Sequence, residues 1–96
     1  MPDALEVLLE KAVSRAAAAL DISEAVLTQV VVDEKSRRIF VKLFLSLVVI
    51  TGDDNSARGW MNSENLALSG RPLDLIWQPG GLEKVSHYLM SFYEKR

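Results

Sequence analysis

Side chains that could catalyse a reaction or bind a metal are few in this 96-residue sequence. Cysteine is absent and His87 is the single histidine, so neither a thiolate metal site nor a disulfide framework can form. No hydroxyl nucleophile has a plausible base beside it, and the 13 acidic residues show no spacing typical of a general acid and base. We therefore expect a chain that is not an enzyme and has no catalytic residue, metal site or cofactor.

Polar side chains that could hydrogen-bond the edge of a DNA base occur in one short stretch. Thr28 and Gln29 are such residues, and Ser23 precedes them at a position typical of a helix N-cap. No arginine or lysine lies between Leu20 and Glu34, although arginine makes the commonest specific base contact. The formal net charge is −2, so the chain lacks the positive field that drives non-specific binding. The sequence predicts weak binding of operator DNA at Ser23, Thr28 and Gln29.

Two helices joined by a short turn are expected to position these three residues. Residues 3–20 contain neither glycine nor proline, and their apolar side chains recur at spacings of three and four. The predicted apolar face consists of Leu5, Leu8, Leu9, Ala12, Ala16, Ala19 and Leu20. A second helix is expected after a turn at residues 21–23, and two helices joined in this way have the geometry of a helix-turn-helix. Residues 1–34 are therefore predicted to form a helix-turn-helix-like N-terminal part.

The stretch from residue 28 to residue 50 fits two structures. Strand propensity favours a hairpin, with residues 29–32 and 38–41 on either side of a turn. Arg38, Lys42 and Ser46 are four residues apart and would form one polar stripe on a helix, but a strand would also place them on one face, so their spacing does not decide. An apolar run of about a dozen residues is long for a strand and ordinary for a helix, so its length favours a helix. Propensity alone leaves residues 28–42 open.

A central helix over residues 39–50 would be apolar on nearly every side, and Gly52 would end it. Such a helix must be buried, and a 96-residue monomer has little core to cover it. We therefore expect a homodimer. The same run is shorter than the roughly 20 residues that span a membrane, and the N-terminus has no signal-peptide pattern. A cytoplasmic protein with no membrane partner is expected.

Capping residues and a proline organise the chain after the central helix. Four residues that favour helix N-caps precede a short predicted helix at residues 57–61. Further along, the sequence ALSGRPLDLI places a rigid turn between two apolar stretches. Arg71 is held extended because it precedes Pro72, and Pro72 suits the first turn of a helix over residues 73–77. The turn is therefore expected to fix the direction of that helix.

One more helix is predicted after residues 78–81, where the sequence QPGG breaks the chain. Its expected buried face is Leu82, Val85, Leu89 and Phe92. We interpret Trp60 and Trp77 as core anchors and His87 as a solvated residue on the polar face of the last helix. The predicted fold class is all-α: a degenerate helix-turn-helix-like part, then a central apolar helix and C-terminal helices that form one compact unit over residues 35–96.

Many positions in the second half match one family in order and spacing. They are the sequence ARGWM at residues 57–61, Asn65, Ala67 and Leu68, the sequence GRPLDLI at residues 70–76, Gly81, Val85 and Leu89. With these residues the chain resembles the C-terminal toxin-binding domain of Xre/MbcA/ParS antitoxins over roughly residues 36–94. The resemblance implies an all-helical antitoxin whose N-terminal part binds operator DNA as a dimer. It also implies that the C-terminal part caps a RES-domain toxin, which consumes NAD or transfers a group from it.

The resemblance assigns toxin binding to two places in the sequence. One is the turn, where Asn65 and Arg71 match the family pattern. The other is the chain end, where the predicted toxin-binding residues are Tyr93, Glu94, Lys95 and Arg96. If the final helix projects this end as a plug, Tyr93 supplies an aromatic anchor and the two cations pair with acidic groups of the toxin. The alternatives are an Xre-like DNA-binding autorepressor and a non-catalytic interaction adaptor.

Overall fold

The structure is a computed structural model that describes the backbone of residues 4–94 and the side chains of residues 4–92. The described residues form six helices and no strand, so the all-α prediction is confirmed. The helices are α1 (Ala4–Ala19), α2 (Glu24–Val30), α3 (Glu34–Thr51), α4 (Asp54–Asn62), α5 (Pro72–Leu75) and α6 (Gly81–Glu94). No helix among residues 4–94 is long and apolar enough to cross a membrane.

A left-handed residue ends α1 and turns the chain into α2. Asp21 has a φ of 57°, a conformation that glycine adopts more readily than aspartate. The N–H of Ile22 donates to the carbonyl of Ala17 at 2.9 Å, which satisfies a carbonyl at the end of α1. Ser23 is the N-cap of α2, and its hydroxyl accepts from the N–H of Val26 at 3.3 Å. The predicted short turn between the first two helices is therefore present.

Residues 28–50, which fit either a hairpin or a helix, form the end of α2, a short connection and most of α3. The residues of the proposed hairpin turn form the start of α3. Asp33 is the N-cap of α3, and its carboxylate accepts from the N–H of Ser36 at 2.8 Å. The hydroxyl of Ser36 accepts in return from the N–H of Asp33 at 2.9 Å, which completes a capping box. Gly52 caps the other end with a φ of 104°. The predicted end of the central helix at Gly52 is confirmed.

Two aspartates that cap helices are held in their charged form. Hydrogen bonds from Ser36 lower the pKa of Asp33 below its usual value of 3.8, and hydrogen bonds from Ser56 lower the pKa of Asp53 in the same way. Both shifts favour the folded state when the carboxylates are ionised. Their contribution to stability is therefore fully present above about pH 4 and is lost as the pH falls through the lowered values.

The core forms around α3, which packs against α1 on one side and α6 on the other. Its buried apolar side chains are Val13, Ala16, Ala17, Leu20, Ile22, Val30, Phe40, Leu43, Phe44, Leu47, Ala57, Met61, Leu68, Ile76, Leu82, Val85 and Leu89. Ser46 is also buried, and its hydroxyl lies 3.9 Å from the sulfur of Met90 on α6. The polar stripe of Arg38, Lys42 and Ser46 is thus exposed at Arg38 and Lys42, and α6 covers it at Ser46.

Several apolar residues predicted to be buried are exposed instead. Leu5 and Leu8 on α1 are 67% and 61% exposed, although they belong to the predicted apolar face. Phe92 on α6 is 42% exposed, and Trp77 after α5 is 43% exposed. The buried face of α6 is therefore Leu82, Val85 and Leu89, and Trp77 is not a core anchor.

Candidate functional site

The segment between α4 and α5 is a closed loop with an exposed tip. The N–H of Asn65 donates to the carbonyl of Gly70 at 3.0 Å, and the N–H of Gly70 donates to the carbonyl of Asn65 at 3.2 Å. The Asn65 side-chain oxygen also accepts from the N–H of Leu68 at 3.2 Å. Leu68 is buried, whereas Leu66 at the tip is 95% exposed. Asn65 therefore closes the loop, and the tip of the loop exposes the apolar side chain of Leu66 to solvent.

The tight bend before Arg71 does not depend on a left-handed glycine. Ser69 has the positive φ in this loop, at 61°. A Cβ atom built on Gly70 would meet the side chain of Leu75 at 3.7 Å, which is an ordinary contact distance. Ser69, rather than Gly70, therefore takes the left-handed conformation of this bend.

Arg71 holds the start of α5 through a two-point ion pair. Its Nε donates to Oδ2 of Asp74 at 2.8 Å, and its Nη2 donates to Oδ1 at 3.0 Å. These hydrogen bonds raise the pKa of Arg71 and lower the pKa of Asp74. The backbone of Arg71 is extended, with a ψ of 132°, and Pro72 begins α5, both as predicted. The guanidinium therefore fixes the loop against α5 while about 42% of the side chain stays exposed.

The turn from α5 into α6 brings two backbone segments into close contact. Gly80 has a φ of 73°, which favours glycine. A Cβ atom on Gly81 would lie 1.7 Å from the carbonyl oxygen of Leu75, so a side chain does not fit there. Gly81 therefore sets how closely α6 begins against the end of α5.

An aromatic cluster links α4 to the exposed side of α6. The rings of Trp60 and Tyr88 stack with centroids 6.4 Å apart and an interplanar angle of 19°. Tyr88 meets Phe92 edge to face, with centroids 5.1 Å apart. Trp60 and Tyr88 are partly buried, whereas Phe92 is exposed. The cluster Trp60–Tyr88–Phe92 therefore ends in an exposed aromatic ring near the C-terminal end of α6.

A shallow depression connects this cluster to the loop. It is lined by Ala67, Leu68, Gly80, Glu83, Lys84, His87 and Tyr88. Side chains of the loop and of the first half of α6 therefore share one surface, which has Leu66 at the loop tip and Phe92 toward the end of the helix. We call this the loop–α6 surface. It combines apolar groups with the exposed charges of Glu83 and Lys84.

Comparison with protein families identifies the family to which this half of the molecule is similar. The family model of the antitoxin Xre/MbcA/ParS C-terminal toxin-binding domain matches residues 46–95, which is 50 of the 96 residues. The chain belongs to this antitoxin family. The matched region begins in the second half of α3 and contains all of α4, α5 and α6, so it includes the whole loop–α6 surface. Comparison with curated proteins finds no match.

The antitoxin domain places the predicted toxin-binding residues in two separate elements. Asn65 lies in the closed loop, which its side chain stabilises, and Arg71 lies at the exit of the loop, where it pairs with Asp74 of α5. Tyr93 and Glu94 lie in the last turn of α6. Lys95 and Arg96 lie outside the described residues. Toxin contact by these residues stays a prediction.

The three residues predicted to contact DNA are spread over α2 and its cap. The Ser23 hydroxyl accepts from the N–H of Val26, and the Thr28 hydroxyl donates to the carbonyl of Glu24 at 2.9 Å. Gln29 is exposed and lines a cleft that also contains Trp77. Two of the three polar groups are thus engaged with the backbone of α2, and their contact with DNA stays a prediction.

One arginine of the antitoxin domain forms a hydrogen bond with α1, away from the loop–α6 surface. Arg58, in the sequence ARGWM, donates from Nε to the carbonyl of Ala19 at 3.0 Å. Ala19 is the last residue of α1, whose terminal carbonyls lack partners within the helix. Arg58 therefore ties α4 to the N-terminal part of the chain.

Sequence reasoning missed the exposed aromatic and apolar groups of the loop–α6 surface. Tyr88 and Phe92 are four residues apart, a spacing that places two side chains on the same side of a helix. This spacing could have predicted from the sequence that the Tyr88 and Phe92 rings lie side by side on α6. Trp60 is 28 positions before Tyr88 in the chain, and only the packing of α4 beside α6 brings the two rings together.

Proposed function

We propose that this chain neutralises a RES-type toxin, which consumes NAD or transfers a group from it, by covering the active-site cleft of the toxin. The observation that carries the proposal is the loop–α6 surface, because it lies in the toxin-binding domain and exposes Phe92 and Leu66. Aromatic residues are enriched at the energetic centres of protein interfaces. The partner is a protein toxin, and the antitoxin itself has no cofactor and no catalytic role.

The rigidity of this surface supports tight binding. The loop is closed by Asn65, and the Arg71–Asp74 ion pair holds its exit. On α6, Leu82, Val85 and Leu89 are buried, so the helix is held in place before a partner arrives. A surface that is already ordered loses less conformational entropy on binding. Both elements can therefore meet a toxin without rearrangement.

The end of the chain completes the proposed contact. Residues 93–96 follow Phe92 directly in the sequence, and the backbone of α6 continues through Glu94. Tyr93 would add an aromatic anchor, and Glu94 would add a polar contact. Lys95 and Arg96 would pair with acidic side chains of the toxin beside the cleft.

The direct test measures NAD consumption by a RES-type toxin encoded beside this chain. We expect added antitoxin to stop NAD consumption at about one equivalent per toxin molecule, because one surface covers one cleft. Phe92→Ala should raise the dissociation constant on the order of tenfold or more. Val32→Ala is the matched control, because Val32 is 69% exposed on the connection between α2 and α3 and should leave inhibition unchanged. Undiminished NAD consumption at excess antitoxin would contradict the proposal.

DNA binding is a weak activity in this proposal. The candidate base contacts at Ser23, Thr28 and Gln29 include no arginine or lysine, and the net charge is −2. An electrophoretic shift with the upstream region of the operon should show only weak binding at physiological salt. A sequence-specific complex of nanomolar affinity would instead favour the autorepressor function and make Thr28 and Gln29 base contacts.

The assembly proposed for the antitoxin is a cytoplasmic homodimer. The central helix supports it: Leu45 and Val49 of α3 are 57% and 62% exposed in the single chain. Exposed apolar side chains on a helix at a spacing of four are typical of a face that a partner covers.

A further inference from the structure

One buried hydroxyl between α3 and α6 has a weak hydrogen-bond partner. The Ser46 side chain is buried on α3, and its hydroxyl donates to the sulfur of Met90 on α6 at 3.9 Å. Among the described residues, this sulfur is the one hydrogen-bond partner of the Ser46 side chain. Buried polar groups are almost always hydrogen-bonded, but a thioether sulfur is a weak acceptor. The Ser46 hydroxyl is therefore available to a stronger acceptor placed at the sulfur.

The sulfur of Met90 can be reached from solvent. Met90 is half-buried. It lines a surface depression of about 290 Å³ together with Ile39, Glu83, Ser86 and His87. Met61, the other methionine whose side chain the structure describes, is fully buried in the core. A small oxidant in solution can therefore approach Met90 and is kept away from Met61.

We infer that Met90 is a site of oxidation to methionine sulfoxide and that Ser46 binds the oxidised side chain. The oxidant is a peroxide such as hydrogen peroxide. The sulfur lone pair attacks one peroxide oxygen, the O–O bond breaks as the S–O bond forms, and the other oxygen leaves as water after a proton transfer. The sulfur is thereby oxidised to the sulfoxide, and the peroxide is reduced.

The distance between the two side chains suits the oxidised form. A hydrogen bond between two oxygen atoms is about 2.7 Å long. The 3.9 Å from Ser46 Oγ to the sulfur of Met90 exceeds this by less than the length of one S–O bond. One oxygen atom therefore fits between them when the hydrogen bond is bent at the sulfoxide oxygen. Ser46 gains a polar acceptor in this way without any movement of α6 away from α3.

The new hydrogen bond keeps α6 in place after oxidation. A sulfoxide in a core is disruptive because it converts an apolar side chain into a polar one, and a buried polar group without a partner costs free energy. Here the Ser46 hydroxyl is that partner. Since α6 carries Phe92, the loop–α6 surface keeps its shape, and oxidised antitoxin still inhibits the toxin. This last consequence rests on the proposed function.

Peroxide treatment of the native chain, followed by mass spectrometry of its peptides, tests the oxidation site. Met90 should gain one oxygen atom on the order of tenfold faster than Met61, because Met61 is fully buried. Equal rates at the two methionines would overturn the assignment of Met90.

Thermal unfolding before and after peroxide treatment tests the role of Ser46. Without peroxide, Ser46→Ala should have a midpoint within about 2 °C of the wild-type chain, because it loses only a weak hydrogen bond. After treatment, its midpoint should fall by roughly 5 °C more than that of the wild-type chain, because the sulfoxide has lost its donor. Ser86→Ala is the matched control, since Ser86 lines the same depression, and it should respond as the wild-type chain does. Met90→Leu should not respond to peroxide.

Each part of the inference has its own contrary result. Equal falls of the midpoint in the wild-type chain and in Ser46→Ala would overturn the hydrogen bond from Ser46, and a larger fall in Ser86→Ala would move that bond to Ser86. Toxin inhibition is measured with oxidised and reduced wild-type chain after the peroxide is removed. Inhibition by the reduced chain alone would overturn the retention of α6. If neither form inhibited, the proposed function would be wrong, while the midpoints would still decide the roles of Ser46 and Met90.

Discussion

Gly81→Ala is expected to destabilise the protein by about 3 kcal/mol. The new Cβ atom would lie 1.7 Å from the carbonyl oxygen of Leu75 and 2.7 Å from its carbonyl carbon, so the start of α6 must move away from the end of α5. Both neighbours are backbone atoms, which cannot rotate away as a side chain can. The midpoint of thermal unfolding, followed by circular dichroism, should fall by roughly 12 °C or more for a domain of this size.

Two other glycines are controls for this substitution. Gly59 lies inside α4, and a Cβ atom added there would have no neighbouring atom within 4 Å, so Gly59→Ala should raise stability by up to about 1 kcal/mol through helix propensity. Gly80 also has open space but a φ of 73°, so Gly80→Ala should cost about 1 kcal/mol of backbone strain. If Gly81→Ala were as stable as Gly59→Ala, the close contact between α5 and α6 would be wrong.

The predicted helices depend on local signals that the structure confirms. Ser23, Gly52 and Pro72 each mark a helix end through chemistry that acts within a few residues of the chain. Propensity could not decide between hairpin and helix around Asp33, because the β-branched residues before and after it favour strands. The capping box of Asp33 and Ser36 decides it, since the same polar residues that suit a turn also start a helix.

The exposed faces could not be predicted from the same signals. Periodicity shows which residues share a side of a helix, but it does not show which neighbour covers that side. Ser46 is polar and buried because α6 lies over it, whereas Leu8 is apolar and exposed because no described helix covers it. Phe92 follows the spacing of Leu89 and Val85 but lies beyond the part of α6 that the core covers.

The part of the chain that forms the candidate site could be predicted from the sequence, but the side chains that share its surface were harder to predict. Matched positions such as Asn65 and Arg71 indicated the family, and the family comparison confirms the toxin-binding domain. The Asn65 side chain hydrogen-bonds within its own loop, and the Arg71 side chain pairs with Asp74 of α5, so the match also reflects the structure of this segment. The rings of Trp60 and Tyr88 come from distant parts of the chain and meet through tertiary packing, which no local pattern encodes.

Deletion of residues 93–96 is expected to abolish neutralisation of the toxin while leaving the fold nearly unchanged. The core contacts of α6 are made by Leu82, Val85 and Leu89, all of which remain, so the helical signal and the thermal midpoint should stay close to those of the full chain. A loss of at least about 100-fold in inhibition is expected, because the deletion removes an aromatic anchor and two cations together. The measurement is NAD consumption by the toxin, with growth rescue in cells that express it.

A variant of full length distinguishes the loss of the side chains of residues 93–96 from the loss of chain length. Replacing residues 93–96 by Ser-Gly-Ser-Gly keeps the chain length but removes the aromatic ring and the charges, and it should fail to inhibit the toxin as the deletion does. The two variants should keep weak binding through Phe92 and the loop, because the loop–α6 surface is intact in both. If either variant still protected cells as well as the full chain, the chain end would not be the inhibitory element. The contact that blocks the cleft would then lie on the loop–α6 surface itself, and Phe92→Ala rather than loss of the tail would release the toxin.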